Sequence, residues 1–99
     1  VKTESVSNNL GGAGQHNKML QVYQILFQMS ERYPDYEFNF KDTANNGWNE
    51  FHVVDEEMGR LMVIEFKQNQ KPVVLQLLKN DGFKSHECRA IMNDLLEFF

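Results

Sequence analysis

Few residues in this chain have the type and spacing to do chemistry. His52 lies two positions after Glu50, and residues two apart on a strand share a face, so an imidazole and a carboxylate can meet as a base and its orienting partner. Glu65 can join them from a neighbouring strand. Nothing beside this set reads as a nucleophile, an electrophile or an enclosed pocket, so catalysis by His52 ranks behind a surface histidine on a mixed sheet face. His86-Glu87-Cys88 offers metal-ligating types, but on a helix His86 and Cys88 point about 200° apart, and no second paired motif completes a site. Gly11-Gly12-Ala13-Gly14 follows no expected strand and precedes no Lys-Ser or Lys-Thr pair, so it is not a phosphate loop. Asp55-Glu56-Glu57 can attract a cation or a basic partner, yet lacks the alternating oxygen ligands of a calcium loop and reads as a solvated turn. No metal site and no cofactor are expected.

The lone Cys88 excludes an internal disulfide, so folding depends on packing. A net charge of −4 and a sequence pI near 5.3 argue against nucleic-acid binding. Eight Phe and three Tyr suggest a stacking platform, but Tyr36, Phe38 and Phe40 are needed as core and lack a basic groove around them. Trp48 follows a turn, where its ring either closes the end of the core, the favoured reading, or projects as a contact anchor. Val1 in place of an initiator Met reads as a sign of an excised or processed chain. No apolar run approaches the roughly 18 residues of a membrane span, and no signal sequence opens the chain, which leads to the expectation of an intracellular, cytoplasmic protein.

The elements that must position these residues follow from periodicity. Residues 1–16 are rich in Ser, Asn and Gly and read as a flexible tail or linker, leaving one domain over 17–99. Asn17 as cap and Pro34 as stop predict a helix over 18–32. Met19, Leu20, Val22, Tyr23, Leu26, Phe27 and Met29 share its broad apolar face, and Ile25 falls among polar residues as a possible contact point. Strands are expected from Tyr36, from Trp48 to Val54, over 60–67 and from Val73 to Leu78, with short breaks that favour an antiparallel meander. Ser85 then caps a second amphipathic helix.

Both helical faces need cover, so the expected fold is α+β with two layers, the two helices on one face of a four-stranded sheet. The outer face is then mixed, with Glu50, His52, Glu65 and Gln76 set among Val54, Leu61, Val63 and Val74. The order helix, meander, helix, with Tyr33-Pro34 after the first helix, resembles the layout of RWD-type interaction domains and of the kinase-associated C-terminal domains. That resemblance implies a docking module and carries no site residue over to this chain.

Three functions follow, in descending order. The first is a non-enzymatic, regulatory protein-protein interaction domain using the outer sheet face or a strand edge, with Ile25, Trp48, His52, Val54, Leu61, Val63, Val74 and Gln76 as contact candidates and another protein or a second copy as partner. The second is an acidic inhibitor or decoy that meets a basic surface through Glu50, Asp55, Glu56, Glu57 and Glu65. The third is an enzyme using His52. No small-molecule substrate and no membrane partner are implied.

Overall fold

Alternation of apolar and polar residues builds four strands, and glycine helps the chain reverse between them. The computed structural model of the chain describes residues 11–45, 47–67, 70 and 72–99. In order these form α1 (Gly11–Arg32), β1 (Glu37–Asn45), β2 (Trp48–Asp55), β3 (Arg60–Lys67), β4 (Leu75–Asp81) and α2 (Ser85–Leu96). The strands make one antiparallel sheet in the order β1-β2-β3-β4. The class is α+β, with both helices contributing to one core on one face of the sheet.

The inner face follows from the register. Phe38 faces Val53, which faces Met62, and Phe40 faces Phe51, which faces Ile64. The Phe51 and Phe66 rings stack at 4.9 Å, Phe40 meets Phe51 edge-on at 5.7 Å, and Phe99 closes on Phe66 at 5.2 Å. From α2 this core receives Cys88, Ile91 and Leu95.

The first helix differs from expectation in two ways. It begins at Gly11, so Asn17 is an interior residue and no cap. No proline interrupts 11–17, and once a helix has nucleated each further residue adds a hydrogen bond. Residues 1–10 of the expected tail lie outside the described residues. The helix also presents a different face: Ile25 is fully buried beside Val22 and Met29, whereas Met19, Leu20, Tyr23 and Phe27 are exposed. Val22, Ile25, Leu26 and Met29 form an i, i+3, i+4, i+7 stripe, turned by roughly 80° from the broad face expected. This stripe is in phase with Tyr33, whose hydroxyl donates to Asp94 on α2. Arg32 adds ion pairs to Asp94 at 3.2 Å and Glu97 at 3.1 Å. These contacts fix which side of α1 faces the core, and Ile25 is no contact point.

Smaller shifts have local causes. β4 starts at Leu75, after Pro72, and runs to Asp81, longer than expected because Asn80 itself organises the reversal. Its amide donates to the Phe83 carbonyl at 2.8 Å and its side-chain oxygen accepts the Phe83 N–H at 3.0 Å. Gly82 completes that reversal at φ 107°, where an added Cβ would come within 2.7 Å of the Arg60 side chain. Ser85 is the first residue of α2 and not its cap. Lys84 takes the cap position, its N–H donating to the Glu87 carboxylate at 2.8 Å. Trp48 does not close the core: it is half-buried on the outer face opposite Lys67, whose ammonium lies 5.1 Å above the indole.

Candidate docking surface

Pairing across the strands sorts the outer face into rows. Lys41, Glu50, Glu65 and Gln76 form one, Asn39, His52, Val63 and Lys79 the next, and Glu37, Val54, Leu61 and Asp81 the third. His52 Nε2 lies 2.8 Å from Glu50 Oε1, so the expected imidazole–carboxylate pair exists. Its row neighbours Asn39 and Val63 carry no hydroxyl or thiol. Cys88, the chain's one thiol, is buried in the core, and that burial together with the Glu87 charge pushes its pKa up.

Val54, Leu61 and Val63 do share the outer face, but they do not make an open apolar patch. Val63 is buried between the longer side chains of its row, and Val54 and Leu61 are half-buried. Val74 and Gln76 are exposed at the other end of the sheet, on and just before β4.

The acidic candidates separate. Asp55 is buried in phase with the inner face and pairs with Arg60 at 2.8 Å, so it is no contact residue and no part of a solvated turn. Burial alone would raise its carboxyl, but hydrogen bonds from Arg60 and the Met58 amide and the guanidinium charge hold it below the ordinary range. Arg60 also reaches Glu87 at 3.0 Å, donates to the Tyr36 hydroxyl at 3.3 Å and stacks 4.5 Å from the Phe83 ring centre. The Lys84 amide and Arg60 together hold Glu87 below its ordinary value despite some burial. This network ties the β2–β3 reversal to the start of α2. Glu56 and Glu57 remain exposed in that reversal. Glu50 and Glu65 lie side by side near the far end of β2, about 17 Å away by strand rise. A shallow groove of about 210 Å³ beside Pro34, Asp35, Tyr36, Glu37, Val54 and Glu56 does not include His52.

Two groups of exposed apolar side chains stand out, the first on the helix face expected to meet the core. One is the Leu20, Tyr23 and Phe27 side of α1. The other is β4, where every residue except half-buried Leu75 is exposed. Leu77 and Leu78 are 41% and 54% exposed, with Val74 at 48% just before them. One signal was available. Leu77 and Leu78 are adjacent, so strand alternation cannot turn both inward, and the last strand of a meander lies at an edge.

β4 is also irregular. Val63 faces Lys79 and Ile64 faces Leu77, so Leu78 is an additional residue, a bulge, in the ladder with β3. Among the described residues the sheet order ends at β4, leaving an edge of main-chain donors and acceptors. The opposite edge, β1, exposes Glu37, Lys41 and Asp42, the charged kind of edge that discourages pairing.

Among the described residues no helix is long and apolar enough to cross a membrane, and no group of three or more His, Cys, Asp or Glu is placed to hold a metal ion. No protein-family profile, curated protein or solved structure matches the chain.

Proposed function

We propose that this chain is a small non-enzymatic protein-protein interaction domain that docks through the open edge of β4. The supporting observation is the exposure of Val74, Leu77 and Leu78 along a strand whose outer edge has no neighbour among the described residues. An added strand would satisfy the main-chain edge and cover these side chains together. Burying one such aliphatic side chain contributes roughly 1.5 to 3 kcal/mol at best, so a few suffice for a specific contact. The acidic-decoy alternative has less support, because Asp55 is neutralised internally and the remaining carboxylates are split between two ends of β2. The catalytic alternative has only the His52–Glu50 pair on an open face.

A photo-crosslinking residue placed at Leu78 in the full chain tests the proposal. Discrete protein adducts at position 78, lost when Leu77→Asp is added and retained at about 1 M salt, where charge interactions reach only about 3 Å, are the expected result. Adducts from the same group at His52 and none at 78 would contradict it.

A further inference from the structure

The identity of the added strand can be taken one step further, resting on the β4-edge reading above. The geometry points to a second copy of this chain, with the two β4 strands paired antiparallel about a two-fold axis through Gln76.

The segment Val74-Leu75-Gln76-Leu77-Leu78 is close to its own mirror in chemical type. In an antiparallel pair centred on Gln76, Leu75 stands opposite Leu77 of the second copy, Val74 opposite Leu78, and Gln76 opposite itself. The faces also agree. Leu75 and Leu77 are partners of Phe66 and Ile64 and so lie on the inner face. Gln76, opposite Glu65, lies on the outer face, as does Val74 by alternation. The bulge puts Leu78 with Lys79 on Val63's side, again outer. Residues opposite one another in an antiparallel pair share a face, so each apolar side chain meets an apolar one on its own side. A two-fold axis perpendicular to the sheet yields a continuous eight-stranded sheet with both pairs of helices on one side, the isologous arrangement of most homodimers.

Neighbouring registers lack this match. Centring on Leu77 sets Leu75 against Lys79 and Gln76 against Leu78. Centring on Lys79 sets two ammonium groups against each other. The bulge at Leu78 bends the strand beyond it and confines the pairing to the stretch before Lys79. Val74 and Gln76 are both exposed, so the pairing asks for no rearrangement of the core.

A residue on the two-fold axis faces its own copy, which gives the register a specific test. Molar mass is measured by light scattering on the full chain, from micromolar to near-millimolar concentration, for wild type, Gln76→Glu, Gln76→Lys and an equimolar mixture of the two variants. Gln76 is exposed, and a matching thermal melt checks that each variant is folded. The expected result is a wild-type dimer of twice 11.6 kDa, at least tenfold weaker dimerisation of each charged variant alone, and recovery of the dimer in the mixture. Three outcomes overturn the self-pairing: a wild type that stays at the monomer mass throughout, a dimer indifferent to both charges, and a mixture that fails to recover. Monomeric wild type with specific adducts at position 78 leaves the β4 edge as a docking site for a different protein, whereas monomer without such adducts removes both.

Discussion

Leu77 faces Ile64 directly across the β3–β4 ladder on the helix side of the sheet, yet Ile64 is fully buried and Leu77 is 41% exposed. The cover provided by α1 and α2 thus reaches its boundary within the fourth strand, where Leu75 packs on the core and Leu77 is left partly open. Leu77 stays open to an apolar partner for this reason, and Val74 and Leu78 stay open because they lie on the outer face, which the helices do not cover.

The boundary predicts unequal costs for equal chemistry. Ile64→Ala removes packed core atoms and should destabilise the fold by about 2 to 5 kcal/mol. Leu77→Ala, measured under monomeric conditions, should cost less than about 1 kcal/mol. Urea melts of the two variants check this, and equal losses would place β4 inside the core.

The rotation of α1 predicts a second contrast. Met29→Ala should cost about 2 to 5 kcal/mol, and Phe27→Ala, despite the larger side chain, less than about 1 kcal/mol. The reverse order would restore the broad face that helical periodicity alone suggests.

Val63→Asp separates facing outward from being open. Val63 lies on the outer face but is only 6% exposed, so a carboxylate there loses solvation, which Lys79 across the ladder offsets only in part. The variant should lose about 2 kcal/mol or more, and a fully stable Val63→Asp would mean the site is open to water.

Much of this architecture is legible in the residues. The bounds of β3, the in-phase aromatic residues of β1 and β2, and the meander follow from period-two alternation and short reversals. Two apolar stripes on one helix are another matter: Met19 through Phe27 competes with Val22 through Met29, and the contacts of Tyr33 and Arg32 with Asp94 and Glu97, distant in sequence, decide between them. The Asp55–Arg60–Glu87 network is hidden for the same reason, since its members become neighbours only when α2 returns to the β2–β3 reversal. At the candidate site, the last strand's place at an edge is readable from topology. The bulge at Leu78 is not.

Stability should fall at both ends of the pH scale. Asp55 and Glu87 have folded pKa values below their unfolded ones, so their contribution is present above the ordinary carboxylate range, near pH 4, and is lost as pH falls through the lower folded values. Arg60→Met should weaken the fold at neutral pH and flatten this acid dependence in urea midpoints taken from pH 7 to 2. An unchanged acid profile would remove Arg60 from that role.

At the alkaline end, burial and the hydrogen bond to Asp94 push the Tyr33 hydroxyl up to about 12. Because the folded value exceeds the unfolded one, its contribution is complete below about pH 10 and is lost as pH rises toward the folded value. Ultraviolet titration, assigned by difference against Tyr33→Phe, should show a midpoint near 12 that drops partway in Asp94→Asn. A midpoint at the ordinary tyrosine value would show that Tyr33 is not held by α2.

Self-pairing through the β4 edge is tested most directly by amide hydrogen exchange of the full chain, read peptide by peptide at low and high protein concentration. Slower exchange over 74–78 at high concentration, reversed by Gln76→Glu and with the β1 edge unchanged, is the predicted result. Protection that appears on β1, or exchange over β4 that is identical at both concentrations, would contradict it.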